Sequence, residues 1–437
     1  MFAGSGLVVL ATPQTAAELA DDAAAAGAPL LVADPQRTAE TNAELERLGA
    51  RVVAHPDGSD PGPLAEGVRP VAVDPAAPGT ALGDAGLPQA VVEAEAPPIV
   101  LYTDGSETPA SPAVQAIVLA AGGEVVEVPG GDPRANGETV QAARRHAGSS
   151  VLALGDAFAA DELARRLETA AASPELPGGG QLVFGDRIMI ADYGHPGSPA
   201  LGVLGERDLD GAIAAVKQRA AEYQALTDLQ VVPTFELITT VASSSPGPDG
   251  DYSSETDVET LRPWVERAGE EGVYVVLDLQ PGRTSFPEQV KRYEELLKLP
   301  HVGLALDPEW RLEPHQQHLV QIGRVGADEV NETIRWLAEL TAAGALPQKA
   351  VVVHQFSDHM IEGRERLDAS HDEIALLVHV DGHGTPELKM ETWNALLEGL
   401  PEGVELGWKN FIDEDTPTFT PEQTLAVEPR PVFVSYQ

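Results

Sequence analysis

Asp307-Pro308-Glu309 is the segment whose residue types and spacing bear most directly on chemistry. Residues two apart on an extended strand face the same side, so both carboxylates are expected to point one way. Carboxylates that close raise one another's pKa. One can then keep a proton as a general acid while the other stays ionised, the division of labour used in glycoside cleavage. The plainer alternative is a turn opened by Asp307-Pro308, with Glu309 solvated. Other apolar runs in the second half also end in polar or aromatic groups: Asp192-Tyr193-Gly194-His195, Glu236, Asp278, His354-Gln355, His379-Val380-Asp381 and Trp408-Lys409-Asn410. Asp278 and Glu236 are reserve candidates for a nucleophile or base. Trp408, Trp310, His354, Gln355, Asp192, His195 and Tyr252 are expected to hold a substrate, the aromatic rings by stacking on sugar faces. Trp264, Trp336 and Trp393 lie in helical segments and are expected to be packing residues.

Metal chemistry competes with this reading. His195, His354, His379 and His383, with Asp192, Asp278 and Asp381, are donors of the kind that zinc or manganese takes. No His-x-His pair ends the first strand and no helix carries His-x3-His, so neither a metal nor another cofactor is expected to be required. The acidic loop Gly247–Tyr252 lacks EF-hand spacing and reads as a turn. The chain has no cysteine, which excludes disulfides, thiolate metal sites and a cysteine nucleophile.

These residues need strands to aim them. Strands are expected at 187–192, 231–237, 273–278, 302–307, 350–354, 374–379 and 404–408, with an eighth at 319–322. Helical runs at 208–226, 256–268, 287–297, 327–342 and 386–397 lie between them. That order, over about 250 residues, is the pattern of a (β/α)8 barrel, whose active sites lie at the C-terminal strand ends.

Composition changes near residue 186: every Trp and every Lys lies beyond it. The division expected is therefore 1–185 and 186–437. In the first part, strands at 7–11, 29–33 and 50–54 alternate with helices at 15–26 and 38–48. Thr15 and Glu18 form a candidate capping box for the first helix. Further copies begin at Pro98 (strand 98–102, helix 111–121, strand 124–128) and at Ser150 (strand 150–154, helix 156–172, extended 181–184). The fold class expected is α/β, with Rossmann-like parallel-sheet repeats followed by the barrel.

Leu7–Ala11, the helix after Thr15 and Gly27-Ala-Pro-Leu-Leu31, together with Leu154-Gly-Asp-Ala-Phe-Ala-Ala-Asp161, resemble bacterial cell-wall-binding repeats of the second type. That resemblance implies attachment to wall polymers. The strand Gly303-Leu-Ala-Leu-Asp-Pro-Glu309 resembles the fourth strand of chitinase-like and lysozyme-like barrel glycosidases, which end in Asp-x-Glu. It implies Glu309 as the acid, Asp307 as its ionised partner and Trp408 beneath the scissile sugar. The sequence departs from the chitinase pattern at Ala305, where that signature has an Asp, and at His354-Gln355-Phe356, where it has a Tyr-Asp pair. Tyr193-Gly-His-Pro-Gly-Ser198 and Asp307-Pro-Glu-Trp310 also resemble an uncharacterised actinobacterial exported-protein family.

The net charge is −41. That argues against a nucleic-acid partner, which needs basic stripes, and suits either a salt-adapted surface or that of an exported protein. The apolar run Gly6–Ala11 is too short to span a bilayer and lacks the flanks of a signal peptide. A secreted or cell-surface protein is expected, its leader absent from this numbering. The function expected is glycoside hydrolysis of a bacterial wall or extracellular polysaccharide. The alternatives are non-catalytic polysaccharide binding and a metal-dependent hydrolase or deacetylase.

Overall fold

The computed structural model describes residues 2–75, 90–92, 99–106, 108, 111–158 and 162–437. The chain forms two compact units, Met1–Pro133 with Glu138–Ala171, and Arg134–Gly137 with Ala172–Gln437. The composition break near 186 thus falls inside the second unit. The reason is packing: Leu176, Val183 and Phe184 are buried with Met189, Val232 and Tyr274 in the interior of the barrel.

In the first unit, Leu30–Val32, Leu7–Ala11, Val52–Pro56 and Arg69–Val73 form a four-stranded parallel sheet in that order. Glu124–Glu127, Ile99–Thr103 and Ser150–Leu154 form a separate three-stranded parallel sheet. Phe2–Ser5 pairs antiparallel with Ala90–Val92. The Thr15 side chain accepts from the Thr12 amide at 3.0 Å and makes no cap bond to the helix, so the expected capping box does not form. The helix expected from Asp156 starts at Leu163, and residues 181–184 form bends instead of extended chain. Ala159–Asp161, the end of the repeat-like motif, lie outside the described residues.

The second unit is a closed barrel of eight parallel strands: Arg187–Gly194 (β1), Gln230–Ala242 (β2), Tyr274–Leu279 (β3), Val302–Leu306 (β4), Lys349–Gln355 (β5), Ile374–Val380 (β6), Glu405–Asn410 (β7) and Phe433–Tyr436 (β8). Pairing of β1 with both β2 and β8 closes it. Seven strands lie where the apolar runs put them. The eighth does not: Leu319–Ile322 is no strand, Leu319 has φ +65°, and its side chain is 84% exposed. The barrel closes instead with the four residues of β8, whose Phe433 and Val434 are fully buried.

Caps set the helices. Asp208 accepts from the Gly211 amide to start Leu209–Gln224, and Thr385 accepts from the Leu388 amide to start Pro386–Leu397, each satisfying an orphan donor. The helix expected at 287–297 is broken into Phe286–Gln289 and Glu294–Leu297 around a 3₁₀ turn. The strands alternate two buried faces. Met189, Val232, Tyr274, Ala305, Ala350, Leu377 and Phe433 fill the interior, while Ile190, Leu237, Val353 and Trp408 pack in the outer layer with the helices. Among the described residues no helix is long and apolar enough to cross a membrane.

Lys349 opens β5 fully buried, its ammonium donating to the carbonyls of Leu299 and Val302 at 2.9 and 2.8 Å. Burial pushes its pKa down to about 7. Between that value and the ordinary lysine value the unfolded chain binds more protons, so stability rises with pH. The unfolding midpoint of the wild type should therefore climb from pH 7 to pH 9 relative to Lys349→Met. Parallel curves for the two proteins would refute this.

Candidate active site

The parity of each strand decides what reaches the C-terminal mouth. Every strand contributes one or more polar groups there: Tyr193 from β1, Glu236 from β2, Asp278 from β3, Asp307 after β4, His354 from β5, His379 and Asp381 at the end of β6, Lys409 from β7 and Ser435 from β8. His354 is the hub. Its Nδ1 lies 2.6 Å from Asp381 Oδ2, and its Nε2 lies 2.9 Å from Glu236 Oε1, 3.6 Å from Asp307 Oδ1 and 4.0 Å from Asp278 Oδ1. The Tyr193 hydroxyl donates to Asp278 Oδ2 at 3.0 Å. Lys409 Nζ stands 3.6 Å from Asp381 Oδ2 and 3.9 Å from the centre of the Tyr193 ring. His379 Nε2 lies 2.7 Å from the Ser435 hydroxyl. Its Nδ1 faces Gly407, where any side chain would collide with the imidazole.

Above this cluster opens a cavity of about 800 Å³. Asp307, Glu309, Asp381 and Lys409 face it, with Trp310, Phe356 and Phe411 among its walls. Glu236, Asp278 and His354 lie beneath its floor, fully buried. Glu309 is partly exposed to the cavity, yet its Oε2 is sealed and has no hydrogen-bond partner. Asp381 Oδ1, Asp278 Oδ1 and Glu236 Oε2 are likewise buried without partners.

Burial and mutual charge set the protonation pattern. Burial, then the neighbouring carboxylates of Asp278 and Glu309, push Asp307 well above the usual carboxylate range. This is opposite to the ionised role expected for it. Burial raises Glu309 to about 7 and Asp278 to about 6. Burial also works against ionised Asp381 and Glu236, but the charge and hydrogen bond of His354, with the charges of Lys409 and His379, together outweigh it and hold both below the usual value. Burial disfavours the His354 imidazolium, yet Asp381, Asp307 and Glu236 together keep its pKa well above normal. For His379, burial with the charges of His354 and Lys409 outweighs the pull of Asp381 and Glu236, and its pKa falls to about 4.

Several residues expected at the site lie elsewhere. Trp408 points outward between Trp393 and Phe419, its indole donating to Asn410 at 2.9 Å; Gly407 and Lys409 take the inward positions of β7. Asp192 faces outward to Arg219 at 2.7 Å. Gln355 accepts from Arg364 at 3.1 Å, also outside the barrel. His195 bonds Thr256 at 3.0 Å. Tyr252 is buried under Arg283, whose guanidinium sits 4.4 Å from the ring centre. None of these five lines the cavity. Trp310 does. Trp264, Trp336 and Trp393 pack in the outer layer.

Sequence reasoning named Asp381 only as a possible metal donor and Lys409 only within a polar strand end, and gave neither a role in catalysis or substrate binding. A signal existed for the first: Asp381 is two residues beyond His379, so the two share a face. The groups that could hold a metal come from separate strands, so the His-x-His test could not register them. The donor atoms of Asp278, Asp307 and His354 fall within 4.8 Å of one another, as do those of Glu236, His354 and His379. No family model matches the chain, and no curated protein does.

Proposed function

We propose that the barrel is a glycoside hydrolase acting on a bacterial wall or extracellular polysaccharide. The observation that carries this reading is the placement of Glu309. It is a partly exposed carboxyl on the wall of a cavity that also holds Asp381 and three aromatic rings. Glu309 delivers its proton to the glycosidic oxygen as the bond to the anomeric carbon breaks; water then adds to that carbon and its proton returns to the Glu309 carboxylate. Asp381, held by His354 and Lys409, lines the same cavity and stabilises the positive charge that develops on the sugar. Oxocarbenium-like transition states need this pairing of an acid with an ionised carboxylate. The apolar rings give sugar faces a surface to stack on.

The test is a panel of bacterial wall and extracellular polysaccharides assayed for release of reducing ends. Release supports the reading. Binding of a polymer without any release would favour a polysaccharide-binding protein instead. Trp310→Ala should raise KM about tenfold, since a lost stacking partner costs about 1 kcal/mol or somewhat more, and should leave kcat close to wild type. A fall in kcat alone would remove Trp310 from the binding surface.

A further inference from the structure

We propose that the floor of the cavity is a binding site for a divalent transition-metal ion, held by His354 Nε2 with carboxylate oxygens of Glu236, Asp278 and Asp307. Four strands bring these donors together. Glu236 Oε1, Asp307 Oδ1 and Asp278 Oδ1 stand 2.9, 3.6 and 4.0 Å from one imidazole nitrogen. Two ligands each ~2.1 Å from an ion lie roughly 3.0–3.4 Å apart in octahedral or tetrahedral geometry. The observed spacings bracket that range, so small side-chain shifts would complete a coordination shell.

Unmet valences at the same place point to a ligand independently. Asp278 Oδ1 and Glu236 Oε2 belong to fully buried side chains and have no hydrogen-bond partner. Buried polar atoms are paired in the great majority of cases. The cluster is also rich in carboxyl groups: those of Glu236, Asp278, Asp307 and Asp381 gather about His354 and Lys409. Buried charge without compensation is costly. An ion replacing the proton on His354 Nε2 would compensate it.

The outer shell is built to match. Asp381 Oδ2 at 2.6 Å fixes a proton on His354 Nδ1 and turns Nε2 toward the carboxylates. Tyr193 holds the far oxygen of Asp278 at 3.0 Å and leaves Oδ1 facing His354. Carboxylate-to-histidine and hydroxyl-to-carboxylate contacts of this kind orient metal ligands. One imidazole with three carboxylates suits manganese or zinc.

The full-length protein, dialysed against EDTA and then against buffer, should be titrated with manganese chloride and with zinc chloride by calorimetry and by thermal unfolding. One ion per chain and a raised unfolding midpoint are expected for at least one of them. Asp278→Asn should abolish binding. Tyr193→Phe, which leaves every ligand in place, should weaken it about 10–100-fold and serves as the probe should Asp278→Asn not fold. No stoichiometric binding up to millimolar ion, binding of calcium or magnesium chloride alone, or wild-type affinity in the folded variants would each overturn the proposal. The readout is binding, so the outcome is separate from that of the glycosidase reading.

Discussion

Glu309→Gln is expected to fold normally and to hydrolyse polysaccharide about 10²–10⁴-fold more slowly, the usual cost of removing a general acid. The substitution keeps the shape and removes the transferable proton. It should cost the fold little. Glu309 Oε2 makes no hydrogen bond that the amide must replace, and the contact from the Gly323 amide, at 2.7 Å, goes to the main-chain carbonyl of Glu309. An unfolding curve that overlays the wild type, together with polymer binding that persists, would separate lost chemistry from lost structure. A variant as fast as wild type would remove Glu309 from the reaction. Asp381→Asn would then be the next variant to measure, because Asp381 is another carboxylate facing the same cavity.

Lys409→Met should destabilise the barrel by about 3–5 kcal/mol, the range for stripping one partner from a buried ion pair. The ammonium is buried, 3.6 Å from Asp381, and sits over the rings of Tyr193 and Phe411 at 3.9 and 5.2 Å. Burial works against its charge, yet the carboxylates of Asp381, Glu236, Asp307 and Asp278 together hold its pKa above the ordinary lysine value. Without it the carboxylate cluster keeps His354 as the counter-charge in direct contact with it. Met replaces the aliphatic stem at similar volume, so the loss reports charge more than packing. The double variant Lys409→Met/Asp381→Asn removes both members of the pair and should recover part of the loss. Chemical denaturation of the four proteins closes the cycle. A single variant as stable as wild type would show that the ammonium contributes nothing to holding the cluster.

The sequence by itself determined the barrel nearly whole. Seven of its strands coincide with short, largely apolar runs, and the helices between them carry their own caps, Asp208 and Thr385 among them. Such signals are local, so they survive in one dimension. Asp307, Glu309, Asp278, Glu236 and His354 were legible for the same reason, each being a polar group just after, or at the end of, an apolar run. What only the tertiary structure decided is which face each strand turns inward. Barrel strands are buried on both sides, so the alternation that marks a half-exposed strand is missing. Trp408 and Lys409 differ by one position, and nothing in their run says that Lys409 is the inward one. The close approach of His379, which leaves room only for glycine at 407, decides it. The eighth strand was hidden likewise. Phe433–Tyr436 is too short to stand out and is a strand because β1 and β7 offer it two edges, whereas Leu319–Ile322 has strand-like composition and no edge to join. The charge cluster is the extreme case. His354 meets Glu236 118 residues away, and burial and Coulomb forces then hold Asp381 below the usual carboxylate range and push Asp307 well above it. Those forces depend on distances that exist only once the barrel has closed.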